Sequence, residues 1–290
     1  MTNKGKLYLC PTPIGNLEDI TLRALKVLEK VDLVAAEDTR VTIKLLNHFE
    51  IKTPLMSYHE HNKKTQGAKL VELLLEGKNI ALVSDAGTPG LSDPGEDLVR
   101  ESVKAGIKVV PLPGAAAAIC ALVSSGLSTK RFVFEGFLPQ KARDRKERIS
   151  ELVLESRTVV FYEAPHRIMK TLKDLKEALG NRQIVLAREM TKIHEEFLRG
   201  SIEDIIKIFE SKRPRGEMVI VMEGAHSKEE SHDNSPGKSL SQKELIDELQ
   251  KNLQEKLDKG LSKKLALRES AEELGISRNE AYKLLINDTL

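Results

Sequence analysis

Tryptophan is missing from this 290-residue chain, aromatic residues make up 4% of it, and cysteine occurs twice. The core must therefore be built from aliphatic side chains, and neither a disulfide framework nor a four-cysteine zinc site can be assembled. Membrane-length apolar stretches are missing too. The longest unbroken apolar segment, Ala115 to Val123, falls far short of the roughly 20 residues that cross a bilayer. Before Pro11 the N-terminus offers only Leu7 to Cys10, too little for a secretory signal. Neither charge sign dominates: 46 Lys and Arg against 44 Asp and Glu leave a formal +2, which does not mark a nucleic-acid binder. With 40% hydrophobic and 31% charged residues the chain has the balance of a folded globular protein. Its two cysteines, Cys10 and Cys120, both in apolar surroundings, fit a reducing, cytoplasmic compartment.

Short apolar runs alternate with helix-period stretches from residue 6 onward. Strands are predicted at 6–10, 32–37, 54–57, 79–84 and 107–111, with helices between them at 21–30, 40–49, through Leu70, Leu73 and Leu74, and at 95–105. Leu22, Leu25 and Leu28 are placed on one side of the first helix. Such alternation argues a parallel sheet covered by helices. A small-residue helix at 115–125 then leads into a second α/β run, with strands at 131–135, 158–162, 183–189 and 217–223 and helices at 141–155, 167–179 and 202–210. Ser201 to Asp204 opens the last of these like a capping box. The predicted organisation is an N-terminal parallel α/β domain (1–115), a second α/β domain (116–225), a flexible linker (226–240) where aliphatics nearly vanish, and a helical extension (241–290). In the extension, Leu245, Leu249, Leu253 and Leu257 recur at four-residue steps behind a Ser241–Glu244 capping box; a second helix and a Gly275 turn into a third helix, capped by Ser277 and Glu280, complete it. That outline fits a helix-turn-helix or a packing bundle equally. The ten basic and ten acidic residues from Lys238 to Leu290 provide no basic face.

In an open parallel sheet, ligands bind beyond the carboxyl ends of the strands, so the residues that follow each strand carry the chemistry. They are Pro11–Leu17 after the first strand, Glu37–Arg40 after the second, Tyr58–Asn62 after the third and the loop 84–95 after the fourth. That last loop combines three glycines, which admit positive φ, with two stiffening prolines, and leads into a helix N-terminus. It reads as an anion cradle rather than a merely structural loop. No Gly-x-Gly-x-x-Gly follows the first strand, so a dinucleotide fingerprint is missing. Gly237-Lys238-Ser239 imitates the end of a P-loop without its first glycine or a preceding strand. His59-Glu60-His61 lacks a third ligand at suitable spacing, so no metal is expected.

The segments Leu9–Leu17, Ala36–Arg40, Ser57–Asn62 and 84–95, followed by Glu163-Ala164-Pro165-His166-Arg167, Ala187–Lys192 and Gly216-Glu217, resemble the ribosomal RNA small subunit methyltransferase I family. That family is a branch of the tetrapyrrole-methylase-like fold. The resemblance runs from Lys6 to Glu223, with Ala164 standing where the pattern has Ser, and the C-terminal helices resemble an extension seen in some members. It implies two α/β domains with S-adenosylmethionine in the cleft between them, a homodimer, and 2′-O-methylation of a cytidine ribose in the decoding region of 16S ribosomal RNA within the small subunit, with no membrane involved.

On that footing, the cofactor is assigned Pro11, Pro13, Ile14 and Gly15 after the first strand and Asp85, Ala86, Gly87, Gly90, Ser92 and Asp93 after the fourth. Amides from Ala86 to Gly90 would receive its carboxylate, and Asp85 would face its sulfonium. An apolar adenine slot would draw on Ala115, Phe161, Tyr162, Ala187 and the stretch Pro214–Met218 with Gly216 and Glu217. Phe161 and Tyr162 read equally as core residues ending a strand. A ribose hydroxyl needs a base, and the candidates are Glu60 or His59, with Glu37 and Glu189 as alternatives. Each reads also as a partner of Arg40, Arg167 or Arg188. RNA contacts are expected from Lys141, Arg143, Arg145, Lys146 and Arg148, whose helix shows no apolar residue before Ile149, together with Arg40 and Arg167. Two other readings compete: tetrapyrrole methylation on the same fold, disfavoured by the Pro-Thr-Pro-Ile-Gly-Asn first loop, and a non-enzymatic nucleic-acid-binding regulator using the C-terminal helices.

Overall fold

The computed structural model of the chain describes residues 4–211, 214–225, 242–258, 263–274, 281 and 284. It divides into two compact units, Met1–Glu230 and Ser231–Leu290. The first unit holds two five-stranded sheets.

The first sheet contains β1 (Lys6–Leu9), β2 (Leu33–Ala36), β3 (Leu55–Ser57), β4 (Ile80–Val83) and β5 (Lys108–Pro111), ordered β3-β2-β4-β1-β5 and parallel throughout. Helices α1 (Leu22–Lys30), α2 (Thr39–His48), α3 (Lys63–Leu75) and α4 (Gly95–Lys104) connect the strands; α1, α2 and α4 lie within a residue of the ranges read from the sequence, and α3 carries Leu70, Leu73 and Leu74 as expected. Alternation along β2 shows how both faces become core: Val34 and Ala36 join Ala24, Leu28 and Leu46 from α1 and α2, while Ala35 joins Leu70, Leu74 and Leu98 from α3 and α4. Each such leucine contributes about 1.5–3 kcal/mol by leaving water. The α1 stripe is narrower than its leucines suggest, because Leu28 is buried, Leu25 is half-buried and Leu22 faces solvent beside the cap Thr21. From β1 the chain moves toward β2, and from β4 it moves past β1 to β5. The connections therefore diverge between β4 and β1, which makes that point the crevice of the sheet.

After α5 (Ala117–Ser125), the second sheet contains β6 (Phe132–Phe137), β7 (Thr158–Glu163), β8 (Gln183–Arg188), β9 (Glu196–Ser201) and β10 (Met218–Met222), ordered β6-β7-β10-β8-β9. Only β6 and β7 run parallel; the other neighbours are antiparallel. The hairpin strand β9 was not predicted, since Glu-Phe-Leu-Arg-Gly-Ser carries little alternation. Helices α6 (Ala142–Glu151), α7 (Ile168–Leu179) and α8 (Ile202–Ser211) bury Ile149, Leu172, Leu175, Ile205 and Phe209 on one face. On the other face α5 lays Ala118, Ala121 and Leu122 against Val160, Val185 and Val219, with Ile14 from the loop after β1 packed beside them. Cys10 is buried as expected, but Cys120 is exposed, because it follows Ile119 on the outer side of α5. The capping box of α8 is formed: Asp204 Oδ2 accepts from the Ser201 amide at 3.0 Å and its hydroxyl at 2.6 Å, and Ser201 Oγ accepts from the Asp204 amide at 3.2 Å.

The second unit contains α9 (Gln242–Asp258) and α10 (Lys263–Glu273), closed over Leu249, Ala271 and Ala281 and tied by Lys256 to Glu273 at 2.7 Å. The expected linker, the Ser241 cap, the Gly275 turn and the cap of the third helix lie outside the described residues. Among the described residues no helix is long and apolar enough to cross a membrane.

Candidate active site

The crevice loops meet at the divergence between β4 and β1. Thr12 and Gly87 exchange both backbone hydrogen bonds at 3.0 Å, and Thr12 Oγ1 donates to the Ser84 carbonyl at 3.1 Å. Gly87 is needed there: its φ is +84°, and a Cβ would lie 3.3 Å from Ile14 Cγ2. Much of the anticipated anion cradle is already used. Asp93 accepts from the amides of Gly90 at 2.9 Å and Gly95 at 2.7 Å, and the Gly87 amide serves Thr12, so of the 86–90 amides only those of Ala86 and Thr88 are not spent this way. Burial pushes the Asp93 carboxyl upward, against those amides.

A cavity of about 480 Å³ opens between the two sheets at this point. On its first-sheet side stand three carboxylates, Glu37, Asp85 and Asp93. Asp85 Oδ1 accepts from the Asp38 amide at 2.9 Å, and the Asp85 amide in turn donates to Glu37. The Glu37 pKa is raised, first by burial and then by the charges of Asp85 and Asp93, with His59 opposing. Facing them are Met190, Tyr162, Met218 and Val219, with Ile14 and Ala117 at the seam.

Of the residues assigned to the cofactor, Ile14, Asp85, Ala86, Gly87, Ser92, Asp93, Tyr162 and Glu217 line this cavity. The others stand behind it. Pro11 packs under Gly114, Gly15 lies against Thr191 and Lys192, and the Ala115 carbonyl accepts from Thr88 Oγ1 at 2.8 Å. Phe161 and Ala187 are fully buried in the two cores of the second sheet. Strand alternation turns the Tyr162 side chain toward the cavity and that of Phe161 away from it, so the Phe161 side chain is not part of the wall. Pro13 and Gly90 are not in the wall, and Gly216 sits over the Glu189 carboxylate, lining a separate cavity of about 530 Å³. Glu163, Ala164 and Pro165 do line the first cavity, although the sequence offered them only as part of a motif.

The candidate bases separate clearly. Glu37 lines the cavity, whereas Glu60 is 65% exposed and paired with Lys63 at 2.8 Å. His59 is half-buried and near enough to Glu37 for its charge to act on it, with its Nδ1 enclosed and without a partner among the described residues. Glu189 lines the second cavity and bonds Lys192 Nζ and the Glu217 amide, both at 3.0 Å. Burial opposes those two contacts, yet they hold its carboxyl below the ordinary value.

The basic cluster also divides. Arg145 is only 2% exposed; it reaches Asp174 at 2.8 Å and the carbonyls of Pro139 and Gln140 at 3.3 and 3.0 Å. Arg167 is turned inward too, donating to the Leu138 carbonyl at 2.7 Å and lying 3.4 Å from Glu163. Neither stands as the expected free surface cation. An arginine four residues before Ile149 shares its buried side, which apolar counting does not register. Arg148 is held bidentately by Glu135 at 2.8 and 2.9 Å, and Lys146 pairs with Glu177. Arg40 is 87% exposed but chelated by Asp38, whose carboxyl it holds down at about 2. Lys141 and Arg143 are exposed and form no ion pair among the described residues.

The family described as Tetrapyrrole (Corrin/Porphyrin) Methylases matches residues 6–206. A protein named ribosomal RNA small subunit methyltransferase I from Synechocystis sp. is 49% identical over 97% of both chains. One of the same name from Bacillus subtilis is 44% identical over 97% of this chain and 94% of its own. Among solved structures, a uroporphyrin-III-C-methyltransferase from Thermus thermophilus matches with a TM-score of 0.54 at 24% identity, over 75% of this chain and 94% of that one. At that identity the likeness shows the fold alone.

Proposed function

This chain belongs to the ribosomal RNA small subunit methyltransferase I family, within the tetrapyrrole methylases, and on that premise we propose that it methylates small-subunit ribosomal RNA using S-adenosylmethionine. The target is proposed to be the 2′-hydroxyl of a cytidine in the decoding region of 16S ribosomal RNA, in the cytoplasm where small subunits are found.

The observation that carries this reading is the two-sided cavity at the divergence of β4 and β1. Its volume falls in the range of roughly 300–1,000 Å³ typical of small-molecule sites. One wall is acidic, through Glu37, Asp85 and Asp93, and suits a cation; the other, through Met190, Met218 and Val219, suits an aromatic ring. S-adenosylmethionine presents both, and when bound it supplies an electrophilic methyl group on a sulfonium. The amides of Ala86 and Thr88 are left for its carboxylate. Asp85, fixed by the Asp38 amide, orients the charged centre.

Glu37 is the base in this scheme. It lines the cavity, and burial with the neighbouring Asp85 and Asp93 charges raises its pKa, which makes it a stronger proton acceptor than an ordinary carboxylate. The ribose hydroxyl gives that proton to a Glu37 carboxylate oxygen as its oxygen accepts the methyl group. The protein's remaining work is alignment and exclusion of water. Lys141 and Arg143, exposed at the start of α6, are assigned to RNA phosphates. A second copy of the chain is proposed to cover the outer face of α5, where Ile119 and Val123 are exposed one turn apart.

The test is transfer of label from tritiated S-adenosylmethionine to small subunits isolated from cells that lack the enzyme, followed by mapping of the labelled nucleotide. Label on one cytidine ribose is the expected result. Label on a base, or unlabelled subunits beside a labelled tetrapyrrole, would contradict the reading.

A further inference from the structure

Phe137 forms part of the cavity wall and is nevertheless 53% exposed. Single exposed apolar side chains are common and by themselves mean little. What sets this one apart is how its position is fixed. In a regular strand Phe134 and Phe137, three residues apart, would point to opposite faces. The β6–β7 register instead runs Phe134 opposite Val160, Gly136 opposite Phe161 and Phe137 opposite Tyr162, so that Glu135 is an extra, bulged residue. Both phenylalanines consequently meet Tyr162, with ring centroids at 5.1 and 5.5 Å. The bulge depends on Gly136, which has φ +65° and would bring a Cβ to 2.9 Å from Ser92 Oγ. Glu135 is retained from behind by the bidentate Arg148.

The chain just beyond Phe137 is equally constrained. Arg167 donates to the carbonyls of Leu138 and Pro139, and Arg145 to those of Pro139 and Gln140. These two inward-turned arginines are anchored on Glu163 and Asp174. Lys141 and Arg143, the free cations of this arm, follow at once. A fixed, half-exposed ring thus stands at the wall of the cavity, immediately before groups suited to phosphate.

We propose that Phe137 is the platform on which the base of the target nucleotide lies when its ribose enters the cavity. The inference rests on the rRNA-methylating reading above and adds the recognition element. A ribose cannot reach an enclosed site while its base stays stacked in the RNA, so the base must be received elsewhere. An aromatic face serves any base, leaving choice of position to the surrounding RNA.

The lack of tryptophan in the chain makes a direct test available. In Phe137→Trp the indole is the chain's sole one, and its emission is read as the difference from wild-type protein under the same additions, first of S-adenosylhomocysteine and then of unmethylated small subunits. Quenching by the subunits, beyond any effect of S-adenosylhomocysteine, is expected. In steady-state assays Phe137→Ala and Phe137→Leu should lower kcat/KM for subunits between about fivefold and about a hundredfold, with cofactor affinity within about twofold of wild type. Phe137→Trp should keep most of the activity. Cofactor binding by the Ala and Leu variants doubles as the check that they fold. Several results overturn the proposal: wild-type kcat/KM in Phe137→Leu, emission that does not respond to subunits beyond its response to S-adenosylhomocysteine, or cofactor affinity falling in step with kcat/KM. Wild-type enzyme that leaves subunits unlabelled overturns the function and this inference together, whereas labelled subunits with an indifferent Phe137→Leu overturn this inference alone.

Discussion

The two sheets of the first unit reach the same cavity by different means. The first sheet is parallel, and everything it contributes follows its strands: Ile14 after β1, Glu37 after β2, and Asp85 and Asp93 after β4. The second sheet is mixed, and it contributes residues from within or beside its strands: Phe137 and Tyr162 at strand ends, Met218 and Val219 along β10, and Met190 from the β8–β9 connection. Parallel topology gathers polar loop groups at one edge, where charge and proton transfer can be arranged. The mixed sheet offers side chains from its face, which suits an apolar wall. The division of labour therefore puts the Glu37–Asp85–Asp93 cluster on one side and the apolar and stacking groups on the other, where Glu163 and Glu217 also reach the wall.

If that division holds, its largest consequence falls on Glu37. Replacing it with Gln is expected to lower kcat by about 100- to 10,000-fold with little change in cofactor affinity, whereas Glu60→Ala stays near wild type. The pH dependence has a defined sign. Because the folded-state pKa of Glu37 is raised, wild-type activity should fall on the acid side at a pH above the ordinary carboxyl range. Stability linked to protonated Glu37 is present below its unfolded pKa and is lost as pH rises through the raised value, so at neutral pH the charge is a burden. Glu37→Gln should accordingly melt no lower than wild type at pH 7 while being nearly inactive. A thermal scan beside an activity assay checks both.

On the second sheet the corresponding test concerns framework rather than chemistry. Arg145→Ala takes the partner from Asp174 and from the Gln140 carbonyl in a largely buried setting and should cost about 3–5 kcal/mol in denaturant unfolding. Lys146→Ala, one residue away and solvent-facing, should not shift the midpoint. Smaller again is the effect of neutralising Lys141 and Arg143 together. That change should raise KM for subunits and flatten its dependence on salt by about two phosphate contacts at most, sparing cofactor binding. The smallest is Ser201→Ala, which opens the α8 capping box at about 1 kcal/mol and leaves the cavity untouched.

The same contrast explains how far the molecule could be read from its residues. Strand–helix alternation revealed the first sheet to within a residue or two, and the rule that ligands sit beyond strand ends pointed to Glu37, Asp85 and the 84–95 loop. The same alternation placed β6, β7, β8 and β10 of the second sheet within about two residues, but no such rule says which of their side chains reach the cavity. The strand β9 has weak alternation and was missed. Phe137 reaches the cavity only because of one bulged residue, a register fact that periodicity hides. Arg145 looks like surface in any hydropathy reading, and its burial depends on Asp174, 29 residues further on. Gly90 looked like an anion donor because the sequence does not show that Asp93 folds back onto its amide.

Titration calorimetry of S-adenosylmethionine into wild-type protein and into Asp85→Asn tests most directly whether the cavity between the sheets holds the cofactor. One binding event per chain for the wild type, weakened tenfold or more by the substitution with the melting temperature unchanged, is the predicted result. No heat with the wild type, or equal affinity in both proteins, would contradict it.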